Sequence, residues 1–463
     1  MKCKSTGQQI TTVEITPDKI TGRGGLLFVL RYLEKSKIFN LIETVVGDFR
    51  HSKKAKPAEF LLRQVMAKML DGSDSSIQGF DRLQQDEGYA SQLELKKEEM
   101  VSSHMVKRFF RKFTGVKYKV YRKVLQELFI WRLNITKPNI IVMDLDTMVL
   151  DNDDAKQRHG VDVTYKNKRG FQPLQLTWGG KIVDALFRRG NAHSNHGNDV
   201  KKTMKEIVKL IRTRYSPDVP IVLTIDSGFM DEKNFNYFED VLKIFYICYE
   251  KLYDSVKKYV KEASPGGFKT YRNNDTRWDY YEFGSKLKSW ERFRRTIFTR
   301  LMQEDRQLLL EFVRPDSVLY TNIGMDKSMT KQLVASGNKE YLGAKKIIGV
   351  AHGRGASELT NRSVKDFMCR EQLPFKLFGM NGAYYYVQVI THFLLECYKE
   401  DVTHDIVPVK CYPTTFRRKL IDFAAKIVGT GNRIILQVSK AVWDGNKIYQ
   451  LWQRCNNPVP LQL

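Results

Sequence analysis

Pro220-Ile221-Val222-Leu223-Thr224-Ile225-Asp226-Ser227-Gly228-Phe229 is the stretch that decides the fold. Its apolar, β-branched run is a strand, and the carboxylate Asp226 stands at the strand's end before a Ser-Gly turn. A second run of the same kind, Asn139-Ile140-Ile141-Val142-Met143-Asp144-Leu145-Asp146, also ends in acids. Asp144 and Asp146 are two apart on a strand, so both point to one face. If the two strands are neighbours, Asp144, Asp146 and Asp226 meet at one sheet edge. Far downstream, Arg354-Gly355-Ala356-Ser357-Glu358 opens a helical stretch that carries Lys365. On that helix Arg354 shares a face with Glu358 one turn on, and Lys365 follows two turns later.

Strand-end aspartates and a helical glutamate are hard oxygen ligands, suited to Mg²⁺. Two such ions about 3.5–4 Å apart activate a water or 3′-hydroxyl and stabilise the leaving oxygen of a phosphodiester. Arg354 and Lys365 are placed to clamp phosphate oxygens. Any one of these acids alone is as well explained by turn capping, since Asp-Ser-Gly is good turn chemistry. Together, on a chain of net charge +25, they point to an enzyme that cuts or joins nucleic acid.

Working outward from the two strands, short apolar or alternating runs at Ile140 to Asp146, Phe171 to Trp178, Lys181 to Phe187, Ile221 to Asp226 and Ile244 to Tyr249 predict five strands. Gly179-Gly180 predicts a tight hairpin, and Val200 to Arg214 a helix before the fourth strand. Three meandering strands, then helix, strand, helix, strand, make a mixed α/β sheet. From Gly24 to Leu133 the apolar spacing is helical. Within that region Val106 to Lys123 holds eight Lys or Arg and no acid, with aromatics interleaved. Lys107, Arg108, Arg111 and Lys112 there suit a helix packed on one face and lying along phosphates on the other; a merely solvated basic helix is the plainer alternative. Ser102-Ser103 supplies its cap. Lys251 to Lys346 is charged and aromatic, with alternation at Arg294 to Leu301 and Leu308 to Val313 and a strand at Ser317 to Asn322. Gly355 to Glu371 and Ala383 to Lys399 are helical, and the tail from Lys410 is basic again.

The chain has 463 residues, 42% of them hydrophobic, which is enough for two or three domains with real cores. No run of about 18 apolar residues predicts a membrane span, and the segment from Met1 to Gln9 has no apolar signal core. Six scattered cysteines, Cys3, Cys248, Cys369, Cys397, Cys411 and Cys455, include no C-x-x-C pair. That excludes a cysteine-built zinc site and a disulfide scaffold, and suggests a reducing, cytoplasmic compartment. His193 and His196, three apart with no third ligand nearby, predict a loop role rather than a metal site.

Five stretches fall in a telling order: Asp144 to Asp153, Lys168 to Gln175, His193-Ser194-Asn195-His196-Gly197, Ile225 to Phe229, and His352-Gly353-Arg354-Gly355-Ala356-Ser357-Glu358-Leu359. In them the chain resembles the bacterial insertion-sequence transposases with a DDE catalytic domain, transposase DDE domain group 1, from near His104 to near Cys455. The resemblance implies an RNase H-like catalytic core, interrupted by a β-rich insertion, behind an N-terminal helical DNA-binding region. The segments so implied are 1–135 (helical, basic), 136–250 (core, first part), 251–346 (insertion), 347–405 (core, second part, with the Glu helix) and 406–463 (basic tail). It implies Mg²⁺-dependent cleavage at element ends and strand transfer into target DNA, with Mn²⁺ as a substitute. The partners implied are the terminal inverted repeats, target DNA and a second copy in a homodimer. The place implied is the bacterial cytoplasm, on the nucleoid when DNA is bound.

By motif position the catalytic set is Asp146 (or Asp144), Asp226 and Glu358, with Asp144 a further metal ligand. The related signature of Tyr, two residues, Arg, three residues, Glu, six residues, Lys is met by Arg354, Glu358 and Lys365. It is not met at Ala351, which stands in the Tyr position. In similar transposases an aromatic of the insertion stacks on a flipped base, a role open to Trp290 or Trp278. Two alternatives are a metal-dependent nuclease of the same fold and a decayed, non-catalytic DNA-binding protein, the latter supported only by Ala351.

Overall fold

Burial grades across the nine strands of the main sheet, from the edge strand Lys269–Asn273, none of whose residues is buried, to Ile221–Ile225, buried throughout. In the computed structural model, which describes residues 10, 12–47, 56–250, 252–263, 265–274, 276–302, 316–430 and 433–462, the first five are β1 (Ile141–Thr147), β2 (Leu174–Trp178), β3 (Lys181–Leu186), β4 (Ile221–Ile225) and β5 (Phe245–Glu250). Four more follow: β6 (Lys269–Asn273), β7 (Thr276–Ser285), β8 (Arg294–Met302) and β9 (Asp316–Thr321). Their order across the sheet is β6-β7-β8-β9-β5-β4-β1-β2-β3.

All five residues of β4 are buried, as a strand covered on both faces requires. It pairs in parallel with β1 on one side and β5 on the other. The hairpin of β2 and β3 runs antiparallel beside β1, turned by Gly179 and Gly180, both at positive φ. So β3-β2-β1-β4-β5 has the order 3-2-1-4-5 with only the second strand reversed, the arrangement of an RNase H-like core. The expected single strand from Phe171 to Trp178 is broken at Gln172-Pro173. Arg169–Phe171 pairs instead with Leu150–Asp151 and Asp162–Val163 in a small separate sheet, because Pro173 has no N–H to continue a ladder.

The segment expected as an insertion is β-rich but does not stand apart: β6 to β9 continue the core sheet outward from β5. It also carries helices at Asp254–Glu262 and Lys327–Ala335. The alternation expected at Leu308 to Val313 lies outside the described residues. Four helices position the site: α1 (Val120–Thr136), α2 (Asp199–Arg214), α3 (Gly355–Met368) and α4 (Phe378–Asp401). From Gly379 to Lys399 every residue of α4 is buried, the mark of a helix packed on all sides. A Cβ on Gly379 would lie 2.5 Å from the Phe113 carbonyl oxygen, so only glycine admits the N-terminal helical region this closely. Arg122 of α1 grips the buried Asp184 of β3 through Nε and Nη2 at 2.6 and 2.5 Å, fixing helices to sheet.

The basic tail is ordered where described. Ala425–Thr430 and Arg433–Val438 form a hairpin that pairs with Lys19–Thr21 near the start of the chain, and Ile448–Asn456 packs on Leu26–Lys35. Among the described residues no helix is long and apolar enough to cross a membrane. The five described cysteines are unbridged; Cys3 lies outside the described residues.

Candidate active site

Parallel pairing of β1 with β4 puts Leu145 opposite Ile225, so Asp146 and Asp226 follow at the ends of adjacent strands. Asp144, one pleat below, is buried. Its Oδ1 accepts from Thr224 Oγ1 at 2.6 Å and from Arg354 Nε at 3.0 Å. Asp146 accepts the Thr147 N–H at 2.8 Å and Asn361 Nδ2 at 3.0 Å. Asp226 accepts the Gly228 N–H at 2.9 Å, in the turn that Ser227-Gly228 promised. Arg354 Nη2 lies 3.9 Å from Asp146 and 3.6 Å from Asp226. One guanidinium thus stands among three carboxylates drawn from two strands.

Burial is the main cause that raises the Asp146 carboxyl to about 6. Arg354 and the Thr147 N–H oppose that rise, and the charges of Asp144 and Asp226 add to it.

Glu358 follows Arg354 by one turn on α3; it is exposed and makes no ion pair among the described residues. Lys365, two turns on, is held by Glu371 at 2.8 Å. Ala351 is buried in the helix Ala344–His352. Among the described residues no three His, Cys, Asp or Glu side chains are close enough to hold a metal ion. The carboxylates are instead spread around Arg354. Even so, the donor set fits a hard divalent cation in kind: it is all oxygen, and it already gathers positive charge at one point.

The rim holds residues that sequence reasoning missed. Tyr165 is 60% exposed. Burial, then the charges of Asp146 and Asp226, raise its phenol, with Thr147 opposing the rise and Glu358 adding to it. Asn361 and Thr224 hold Asp146 and Asp144. Thr224, the one polar residue inside an apolar strand, was a legible sign of a buried hydroxyl with a bond to make; Tyr165 and Asn361 carried no such sign. The loop of His193 and His196 lies beside the Asp226 turn. A Cβ on Gly228 would be 2.9 Å from Ser194 Oγ, and Asn195 Nδ2 reaches Asp231 at 3.1 Å.

The basic segment is the helix Ser103–Phe110, capped by Ser102 Oγ accepting the Met105 N–H, then a 3₁₀ turn at Arg111–Phe113. Val106, Phe109, Phe110 and Phe113 are buried, Lys107 and Lys112 half-buried, and Arg108 and Arg111 exposed. Trp290 is buried, with Phe235 and Tyr320 edge-on and Arg294 over its face at 4.9 Å. Trp278 is half-buried and lies 4.5 Å from His352, ring centre to ring centre.

Among solved structures the chain is similar to a piggyBac transposase synaptic complex with hairpin DNA. Identity is 11% over 87% of this chain and 81% of that one, with a TM-score of 0.40. No curated protein matches it. The family model for the transposase DDE domain group 1 matches residues 4–458. The match spans nearly the whole chain, and the chain belongs to the transposase DDE domain group 1 family.

Proposed function

We propose that this protein is a DNA transposase that cleaves at the ends of its element and transfers the freed strands into target DNA. The observation that carries the reading is the meeting of Asp146 and Asp226 at the ends of two parallel strands, against an arginine that opens the helix bearing Glu358. Asp146, Asp226 and Glu358 would hold Mg²⁺, or Mn²⁺ in its place. The ion supplies Lewis-acid polarisation of the phosphate and a lowered pKa for the attacking water or 3′-hydroxyl. Asp144 acts at one remove from the metal. Buried and bonded to Thr224 and Arg354, it sets where the arginine stands. Arg354 balances the carboxylates, and Lys365 lies further along α3 toward the phosphates. The exposed side of Ser103–Phe110, with Lys107, Arg108, Arg111 and Lys112, tracks the DNA backbone. A homodimer on paired ends follows from the family's way of working.

The reading is tested by incubating the full chain with DNA carrying the gene's own flanking ends, in Mg²⁺ and in EDTA, beside Asp226→Asn and Glu358→Gln. Metal-dependent cutting and joining, abolished by both substitutions, is the expected result. Glu358 is exposed, so its substitution should change stability by no more than about 0.5 kcal/mol. Cutting without joining would make the protein a nuclease, and tight binding without cutting would make it a DNA-binding protein alone.

A further inference from the structure

The C-terminal hairpin leaves one strand edge open. In its three-stranded sheet Arg433–Val438 pairs with Ala425–Thr430 on one side and is the edge on the other, while Lys19–Thr21 holds the opposite edge. The open strand, Arg433-Ile434-Ile435-Leu436-Gln437-Val438, has four apolar residues in six and no proline, and Ile434 is 74% exposed. An apolar edge of this kind is a template for pairing with another strand, and proteins blunt or cover it.

The same strand borders a groove. A cavity of about 310 Å³ lies between it and the helices Leu26–Lys35 and Ile448–Asn456. Phe28, Ile434, Ile435, Trp443, Tyr449 and Trp452 line it, and all of these but Phe28 are exposed. The two charged residues of the lining, Arg31 and Glu94, are paired with each other. The groove thus presents aliphatic and aromatic surface beside an open row of backbone groups. That combination fits an extended segment with apolar side chains on one face.

The chain carries such a segment. Ile10-Thr11-Thr12-Val13-Glu14-Ile15 has five β-branched residues in six, a strand composition, and it is as long as Arg433–Val438. Yet residues 12–17 are in neither strand nor helix, and among the described residues no backbone hydrogen bond ties residues 10–17 to the rest of the chain. Val13 and Ile15, two apart and so on one face of an extended chain, are 95% and 100% exposed. Glu14 falls on the opposite face. The segment leaves the sheet at Lys19, on the edge away from the groove, with Ala425–Thr430 in between. Its own groove is therefore two strands away across the sheet, whereas the groove of a second copy is open to it from outside.

We propose that residues 10–15 of one copy add as a fourth strand to Arg433–Val438 of a second copy, with Val13 and Ile15 entering its groove. The exchange is reciprocal, so one symmetric dimer fills both grooves. The inference deepens the homodimer reading above and rests on it.

The experiment compares the full-length wild type with the double variant Val13→Glu, Ile15→Glu and with Ile434→Glu, by light scattering over a concentration series, with and without the gene's flanking-end DNA. All three positions are exposed, and circular dichroism checks that the variants fold. Each variant should raise the Kd of the dimer about tenfold or more, because a charge would enter an apolar groove. A Val13→Cys copy and an Ile434→Cys copy carrying tags of different mass are then mixed and oxidised; a disulfide-linked pair of mixed mass is expected, above the wild-type background. A dimer that both variants leave intact, or that gives no mixed-mass link, overturns this interface while the homodimer stands. A link confined to single chains carrying both cysteines puts the segment on its own groove and overturns the exchange. A wild type that stays monomeric with and without DNA fails the homodimer reading, and this inference falls with it.

Discussion

Asp146→Asn should make the metal-free protein more stable. The folded protein raises this carboxyl from 3.8 to about 6, a difference of about 3 kcal/mol between its two protonation states. The sign follows from proton binding. Between about pH 4 and pH 6 the folded state holds the proton more tightly than the unfolded state. Stability is therefore lost as pH rises through that window and stays lost above it. A neutral asparagine escapes the loss.

Its hydrogen bonds can be kept. Oδ1 still accepts the Thr147 N–H, and Nδ2 can donate to Asn361 once that amide turns over, presenting an Oδ1 that now has no partner. Arg354 gives up its most distant carboxylate, at 3.9 Å, and keeps two; the attraction lost is already contained in the net rise to about 6. The gain is therefore about 3 kcal/mol at pH 8. With about 2.1 cal/mol/K of unfolding entropy per residue, a chain of 463 residues melts about 3 °C higher. Thermal melts in EDTA at pH 8 and pH 4.5 test this: the gap should be fully open at pH 8 and shrink to about a third of that at pH 4.5. A variant that melts at or below the wild type at pH 8, or a gap equal at both pH values, would refute the reasoning.

Arg354→Ala should act in the opposite sense, leaving three carboxylates without their shared counter-charge and costing about 3 kcal/mol in urea unfolding without metal. Arg108→Ala with Arg111→Ala removes two exposed cations from the packed basic helix; the slope of log K against log salt for DNA binding should become shallower by about 2, with no change in melting. Trp290→Ala should cost about 3–5 kcal/mol of stability by opening a cavity under Arg294, while the DNA affinity of the folded fraction stays as in the wild type. A stable Trp290→Ala with weak DNA binding would reverse that assignment.

Much of the core was legible because its signals are local. An apolar run ending in Asp-Ser-Gly names both the strand and its end, and Gly179-Gly180 names the hairpin. What stayed hidden depends on neighbours that sequence order does not bring together. Trp290 looks the same on paper whether exposed or buried, and only the packing of Phe235, Tyr320 and Arg294 around it puts it in the core. The segment from 251 to 346 could be recognised as β-rich from its alternation, but not as an extension of the core sheet, because the pairing of β9 with β5 spans residues about 70 apart.

The two carboxylates of β1 show how far a pattern can reach and where it stops. Spacing by two puts Asp144 and Asp146 on one face and makes them equivalent to any argument from periodicity. The register against β4 separates them. Asp144 lies opposite Thr224, inside the sheet, where a hydroxyl and a guanidinium satisfy it. Asp146 lies one pleat further out, beyond the last paired residue of β4 and beside Asp226, where burial works against its charge. A charge that the metal-free fold disfavours is one that a cation would relieve most, since a carboxylate already neutralised has less to gain. On that argument we propose Asp146 as the ligand and Asp144 as the residue that positions Arg354, and metal affinity should fall further in Asp146→Asn than in Asp144→Asn. The reverse order, measured by Mn²⁺ titration of the two variants, would exchange their roles.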